Sequence, residues 1–145
     1  MKSACAWCAA LLLAGVSIVH AQERPYKDGP VVEVTSVKLE DGQFENYMAF
    51  LNTTWRKVQE EAKTAGLVLD YHVLAARPHD ADDADLYLVV MYPNMAALDD
   101  SEAKFDPITA KVTKMNYKEQ DEASGKRKSM RTIMGSELLR ELMFK

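Results

Sequence analysis

The segment from Gln43 to Gly66 constrains the fold most, because its apolar residues recur with the period of an α-helix. At about 100° per residue they form one stripe, and the polar residues fall on the opposite side. The stripe consists of Phe44, Tyr47, Met48, Leu51, Trp55, Val58, Ala62 and Ala65. Asp41 is placed to cap the start of this helix, and Gly66 can adopt the left-handed conformation that ends one. The rest of the chain must therefore supply an apolar surface on which the stripe packs.

The first 21 residues have the pattern of a secretory signal peptide. Lys2 gives a positive start, residues 9–19 are small or apolar, and Val19-His20-Ala21 fits a small-residue cleavage site. We therefore expect a periplasmic or secreted protein, with no membrane association after the signal is removed. Both cysteines lie inside this segment, so the mature domain is expected to fold without disulfides.

The remaining chain has the length of one domain. Residues 22–30 are a polar lead-in that we expect to be flexible, and residues 31–145 form the domain. The formal net charge is −4, and it becomes one unit more negative when Lys2 is removed with the signal. An acidic protein does not suit nucleic acid or an anionic membrane surface, so we expect neither as a partner.

Three β-strands are predicted from β-branched and alternating patterns. They cover Val31–Leu39, Leu67–Ala76 and Asp85–Tyr92. A charged, turn-rich loop, residues 77–84, joins the second and third strands, which favours an antiparallel hairpin.

The C-terminal half contains a second helix and a final strand. Asp106-Pro107 has the pattern of a helix start, with an apolar stripe that continues to about Lys118, and Met95–Leu98 fits a short helical turn. Residues 119–128 are polar and fit either a helical turn or a loop. Residues 136–144 fit both periods, and we predict a strand because a three-stranded sheet would leave an unpaired edge.

This order of elements predicts an α+β fold of the ferredoxin-like βαββαβ type, a four-stranded antiparallel sheet with the helices on one face. The face expected under the helices contains Val32, Val34, Leu67, Leu69, Val73, Leu86, Leu88 and Val90. The opposite face contains Glu33, Thr35, Val37, Val68, Asp70, His72, Leu74, Tyr87, Val89 and Met91. A face that mixes apolar and ionisable residues is typical of a surface covered by another chain, so we expect a homodimer.

The chain resembles the dimeric α+β barrel proteins, the ferredoxin-like group that includes antibiotic-biosynthesis-monooxygenase-like and stress-responsive barrel domains. The resemblance covers roughly residues 31–144 and rests on the element order and on FENYMAFLNTTW, LVLDYHVL and DLYLVVMYPNMAALDD. It implies a homodimer formed through the sheets and a cavity beside the sheet for a small, mostly apolar organic molecule. Members include oxygenases that need no cofactor, haem-degrading enzymes and isomerases, so the fold alone does not select an activity.

Candidate catalytic residues lie on the face that the helices are expected to leave bare. His72 could act as a general base, with Asp70 fixing its tautomer, and Glu33 and Tyr87 are expected beside them on adjacent strands. The same residues could instead form a polar network at a dimer interface. The sequence leaves both interpretations open.

Candidate ligand-binding residues are Glu33, Tyr47, Trp55 and Tyr87. Tyr47 and Trp55 belong to the helical stripe, where they would be core residues or would line a cavity between helix and sheet. Phe50 falls off the stripe, which indicates either a contact with a second subunit or an isolated exposed aromatic residue.

Two further groups of residues were considered as metal ligands. The first group lacks the glycine and the ligand spacing of a calcium loop, and consists of His72, His79, Asp80, Asp82, Asp83 and Asp85. The second group, the six methionines after residue 90, is scattered along the chain. We expect no metal and no cofactor. Three functions stay open: a small-molecule-binding module, a cofactor-independent monooxygenase-like or isomerase-like enzyme that uses His72 and Asp70, and a purely structural homodimer.

Overall fold

The computed structural model describes residues 23–145. The predicted signal peptide, residues 1–21, lies outside the described residues. The strands are β1 (Tyr26–Leu39), β2 (Asp70–Ala75), β3 (Leu86–Tyr92) and β4 (Arg131–Phe144). The α-helices are α1 (Phe44–Phe50), α2 (Arg56–Thr64), α3 (Ser101–Thr113) and α4 (Tyr117–Lys126), with a π-helical turn at Leu51–Trp55 and 3₁₀ turns at Met95–Leu98 and Arg127–Ser129.

The four strands form one antiparallel sheet in the order β2-β3-β1-β4. This order, with helices after β1 and β3, is the predicted ferredoxin-like topology, and the α+β class is confirmed. The C-terminal segment is a strand, as predicted, and it pairs with β1 from Leu39 opposite Arg131 to Tyr26 opposite Phe144. Because of this pairing, β1 begins at Tyr26, inside the segment predicted as a lead-in.

The core lies between the helices and one face of the sheet, as predicted. That face consists of the odd-numbered residues of β1 from Val31 to Val37 and the even-numbered residues of β3. Val31 and Val37 are fully buried there, and Leu86 is 1% exposed. Two buried clusters join the layers: Ala62 packs with Val31 on one side, and Leu51 packs with Val37 on the other.

The predicted orientation of β1 is wrong. Val32 and Val34 were expected beneath the helices, but they lie on the other face, because Val31 pairs with Tyr92 and Val37 pairs with Leu86. Directly paired residues of antiparallel strands share a face. Valines occur on both faces of β1, so its alternation is compatible with either orientation.

Val68 is a second correction to the predicted faces. It was assigned to the open face as part of β2, but β2 begins only at Asp70. Val68 lies in the connection from α2, where it is 2% exposed and packs in the same cluster as Ala62. Its neighbour Leu69 is 44% exposed, although it was expected beneath the helices.

Of the two predicted ends of the long helical segment, the structure confirms only the C-terminal one. Gly66 has φ +75° and its N–H donates to the Lys63 carbonyl at 3.0 Å, which is the predicted left-handed end. The predicted cap at Asp41 is wrong, because Gly42 turns the chain at φ +74° and the helix begins after Gln43.

The third helix begins earlier than predicted. α3 starts at Ser101, and Pro107 lies inside it rather than at its first position. Proline removes one backbone donor from a helix. The early start nevertheless places Phe105 and Ile108 against the buried cluster, and this apolar packing offsets the lost hydrogen bond.

The segment that the sequence left open, residues 119–128, is largely helical. Asn116 and Glu119 form a capping box at the start of α4, with the Glu119 N–H donating to Asn116 Oδ1 at 3.1 Å and the Asn116 N–H donating to Glu119 Oε2 at 2.8 Å. Within residues 23–145, no helix combines the length and the hydropathy needed to cross a bilayer.

Candidate functional site

The helical segment that follows β1 is interrupted by a π-helical turn. Leu51–Trp55 separates α1 from α2, and a π turn inserts one extra residue into the helix. The phase of the helix is delayed after the turn, so the residue buried after Leu51 is Gln59 rather than the predicted Val58, whereas Ala62 is buried as predicted. Such turns occur frequently at functional sites.

The displaced residues line a cleft between this helical segment, α3 and α4, which we call the helix cleft. Its volume is about 560 Å³. Most of its wall is apolar or aromatic, and its polar residues come mainly from α3 and α4. The lining residues are Phe50, Thr54, Trp55, Val58, Thr109, Thr113, Met115, Tyr117, Gln120, Asp121, Ala123 and Arg127.

Two aromatic side chains of the cleft are held by neighbouring rings. Phe50 stacks on Tyr47 with ring centroids 5.8 Å apart, and Trp55 contacts Tyr71 edge-on at 5.4 Å. Phe50, which the helical period placed on the wrong side, therefore contacts the chain's own core and cleft. Pairs of this geometry restrict ring motion, so the aromatic wall is formed before any ligand arrives.

Several polar groups of the cleft already have partners within the protein. The Thr113 hydroxyl donates to the Thr109 carbonyl at 2.7 Å and accepts from the Met115 N–H at 3.2 Å. Gln120 Nε2 donates to the Met115 carbonyl at 2.9 Å. These groups stabilise the α3–α4 connection and are less available to a ligand.

Positive charge lies at one end of the cleft. The Arg127 guanidinium lies 4.3 Å from the centroid of the Phe50 ring, which is cation–π geometry. Burial lowers the pKa of Arg127, and the charge of neighbouring Arg131 lowers it further. Burial raises the pKa of the Tyr47 hydroxyl, while a hydrogen bond with Arg131 and the charges of both arginines act in the opposite direction.

The predicted catalytic pair lies elsewhere, on the face of the sheet that the helices leave open. His72 Nε2 lies 3.7 Å from Asp70 Oδ2, so the structure brings these two side chains together. Their side chains are 52% and 46% exposed. Asp70 also accepts a hydrogen bond from Lys63, which lowers the pKa of the carboxyl, as does the bond from the Tyr71 N–H.

Of the two residues expected beside this pair, one shares its face. Tyr87 lies on the open face opposite Leu74, two pairs along the register from His72. Glu33 lies on the helix-covered face, because β1 has the reverse orientation to the one predicted, and it accepts a hydrogen bond from the Tyr92 hydroxyl at 3.0 Å. Burial raises the pKa of Tyr92, and the charge of Glu33 raises it further.

The four predicted ligand-binding residues are therefore divided among different places. Trp55 lines the helix cleft, and Tyr47 lies beneath it, 2% exposed. Glu33 and Tyr87 lie away from the cleft. Arg127 and Ala123 were missed, because their segment has no apolar period and its helix depends on the capping box. Met115 belongs to the apolar stripe predicted for the preceding helix, and the structure places it in the wall of the cleft.

The acidic loop between β2 and β3 uses its aspartates to hold the turn. Asp83 Oδ2 accepts from the His79 backbone N–H at 2.7 Å, and Asp80 Oδ1 accepts from the Asp82 N–H at 3.0 Å. Across residues 23–145, no group of three or more histidine, cysteine, aspartate or glutamate side chains is arranged to hold a metal ion.

No protein-family model and no curated protein matches this sequence. Similar folds are found among solved structures. Protein SO0527 from Shewanella oneidensis has a TM-score of 0.53 at 16% identity, and the match covers 81% of this chain and 98% of that one. At this identity, the similarity shows the fold alone.

Two further solved structures are more distant. A dimeric protein of unknown function and ferredoxin-like fold from Bacteroides fragilis matches with a TM-score of 0.45 and 12% identity, over 78% of this chain and 95% of that one. PA3566 from Pseudomonas aeruginosa matches with a TM-score of 0.43 and 14% identity, over 81% of this chain and 94% of that one.

Proposed function

We propose that this protein is a small-molecule-binding domain whose ligand, a small and mostly apolar organic molecule, occupies the helix cleft. The observation that carries the proposal is the π-helical turn, which directs Trp55 and Val58 toward the cleft. The volume of about 560 Å³ lies within the range of roughly 300–1,000 Å³ that is typical of ligand pockets.

The wall of the cleft favours an apolar ligand. Phe50, Trp55, Val58 and Met115 offer carbon surface, whereas the hydroxyl of Thr113 and the amide of Gln120 are already hydrogen-bonded within the protein. Burial of apolar surface stabilises a complex by about 25 cal/mol per Å² before the cost of association.

The proposal is tested by filling the cleft. Ala123 lines it, so Ala123→Phe should reduce the affinity for the neutral apolar probe N-phenyl-1-naphthylamine at least about tenfold, which is about 1.4 kcal/mol. Ala103→Phe, on the exposed side of α3, is the matched control and should leave the affinity unchanged. Equal affinities of wild type and both variants, or no binding by the wild type, would contradict the proposal.

We also propose that two copies of the chain associate through the open faces of their sheets, as dimeric α+β barrels do. Apolar side chains on that face support this: Leu74 is 52% exposed and Leu139 is 49% exposed. Strand β4 also exposes Leu138 and Leu142 on its other face, so much of its apolar surface is uncovered in one copy.

The oligomeric state tests this second proposal. Native mass spectrometry should show a dimer for the wild type and a monomer for Leu139→Glu, because the new carboxylates would be buried without partners. Leu69→Glu, at a site that is 44% exposed outside the open face, is the control and should remain dimeric. A monomeric wild type would contradict the proposal.

A cofactor-independent monooxygenase-like or isomerase-like activity is the second candidate function, and the 3.7 Å contact between His72 and Asp70 favours it. The sheet separates this pair from the helix cleft, so such a site would be completed by a second copy over the open face. His72→Ala should then abolish turnover while the dimer persists; loss of the dimer would instead indicate a structural role.

We also propose that the protein is exported to the periplasm or secreted, with residues 1–21 as the signal peptide.

A further inference from the structure

Two neighbouring arginines near the helix cleft have no carboxylate partner within residues 23–145. Arg131 is only 8% exposed, and the Nε atoms of Arg127 and Arg131 are both buried without a hydrogen-bond partner. Arg131 Nη2 contacts the Ser124 hydroxyl at 3.4 Å, and a hydrogen bond links Arg131 to the neutral hydroxyl of Tyr47. Arg140, by comparison, forms an ion pair with Asp28 at 2.7 Å.

Buried cations are normally paired, because removal from water is costly for a charge without a counter-charge. Arg127 is stabilised in part by the Phe50 ring and by its position at the C-terminal end of α4. These interactions are weaker than those with a full negative charge, and the second guanidinium adds repulsion. An anion at this position would relieve that repulsion.

We propose that the ligand of the helix cleft carries a carboxylate, which pairs with Arg127 at the end of the cleft while its apolar body lies against Trp55 and Val58. This inference rests on the proposed function of the cleft. The two oxygens of a carboxylate match the planar fork of donors on a guanidinium, and Arg131 adds attraction from behind.

A singly charged head group fits this site better than a multiply charged one such as phosphate. Of the two arginines, only Arg127 lines the helix cleft. The cleft also contains Asp121, which is exposed and forms no ion pair with Arg127. Its charge would oppose a dianion more strongly than a single carboxylate.

The test compares two probes of the same shape, 2-naphthoate and neutral 2-naphthamide, by isothermal titration calorimetry. The wild type should bind naphthoate about tenfold to a hundredfold more tightly than the amide, as expected for a charge-assisted pair. Arg127→Gln should remove this preference and leave the affinity for the amide unchanged. Lys128→Gln, which removes an adjacent exposed charge, should keep the preference.

Each other outcome overturns a defined part of the account. Equal binding of both probes to the wild type overturns the carboxylate inference and leaves the cleft proposal intact. No binding of either probe overturns both. A preference that persists in Arg127→Gln shows that another group holds the carboxylate. If thermal unfolding shows that this variant is not folded, Arg127→Lys replaces it, and an unchanged preference there also overturns the role of the guanidinium fork.

Discussion

The two faces of the sheet differ in how their polar and apolar residues are accommodated. On the helix-covered face, Leu86 is 1% exposed and the carboxylate of Glu33 is paired with a buried hydroxyl. On the open face of the adjoining strand, Leu74 is 52% exposed, and Asp70 and His72 are about half exposed. The helices of the chain cover one face over β1 and β3, whereas no element of the described chain covers the other face.

This difference shows where each kind of site can form. The helix cleft is enclosed by elements of a single chain, so it can bind a ligand without a partner. The pair formed by His72 and Asp70 is screened by water, and becomes a shielded site only if a second copy covers it. The same sheet thus separates a site that one chain completes from one that requires two.

The largest expected effect is a difference in the free energy of unfolding between substitutions on the two faces. Leu86→Ala should lower the free energy of unfolding by about 3 kcal/mol, because it leaves a cavity in a packed core. Leu74→Ala, on the open face, should cost less than about 1 kcal/mol in dilute protein. Urea denaturation of both variants measures the difference, and equal costs would show that the open face is as well packed as the core.

A deletion in the π-helical turn should reduce ligand binding in the cleft while the protein still folds. Deleting Thr53 removes the extra residue of the π turn, so a regular helix gives Gln59 and Ala62 the orientation that they have now; the same residues stay buried and the protein folds. Without the π turn, Thr54 and Trp55 are no longer displaced toward the cleft, and the affinity for N-phenyl-1-naphthylamine should fall at least about tenfold.

Deleting Lys57, in the regular part of α2, is the control for this variant. It rotates the downstream residues by about 100° and moves Ala62 out of the core, so circular dichroism should show a destabilised protein. Unchanged probe binding after deletion of Thr53 would show that the π turn has no part in the site.

A smaller effect concerns the tyrosine that supports the cleft wall. Burial raises the pKa of Tyr71 to about 12, and its hydrogen bond to Glu60 contributes to the rise. Since the ordinary value is 10.0, this tyrosine stabilises the fold below pH 10, and its contribution is lost as the pH rises toward 12.

Phenolate absorbance measures this ionisation directly. The step near pH 12 should be missing in Tyr71→Phe. In Glu60→Gln the step should shift part of the way toward pH 10, because the hydrogen bond to the carboxylate is lost while the burial of Tyr71 remains. If the titration of Glu60→Gln equals that of the wild type, the carboxylate has no influence on the hydroxyl.

The last prediction is that a change on the open face has no effect on binding in the helix cleft. His72→Ala should leave the affinity of the helix cleft for its probe unchanged, because the sheet lies between His72 and the cleft. A change of more than about threefold in the dissociation constant, measured by titration calorimetry, would show that the two faces communicate.

The sequence predicted the architecture because strand and helix periods are local. The strands β2 and β3 and the left-handed Gly66 follow from residue patterns within a few positions. The C-terminal strand follows from a different argument, since its own pattern fits both periods and only the unpaired edge of a three-stranded sheet favours a strand. The orientation of β1 does not, because Val32 and Val34 on one face resemble Val31 and Val37 on the other. Only pairing with β3, a contact distant in sequence, decides between them.

The candidate site was less predictable than the fold. A period of 3.6 residues assumes a regular helix, so the π turn at Leu51–Trp55 shifted Val58 and Gln59 relative to their predicted positions. Phe50 carried the one sequence signal, since it did not fit the stripe. Arg127 carried none, because nothing in its own segment indicates that it lies over an aromatic ring from α1.

The most direct test of the central claim is energy transfer from Trp55 to bound N-phenyl-1-naphthylamine. Trp55 lines the cleft, and the other tryptophan of the sequence, Trp7, lies in the predicted signal peptide. We expect tryptophan emission to fall and probe emission to rise on binding, with the transfer lost in Trp55→Phe while binding persists. Bound probe without transfer from Trp55 would place the ligand outside the helix cleft and contradict the account.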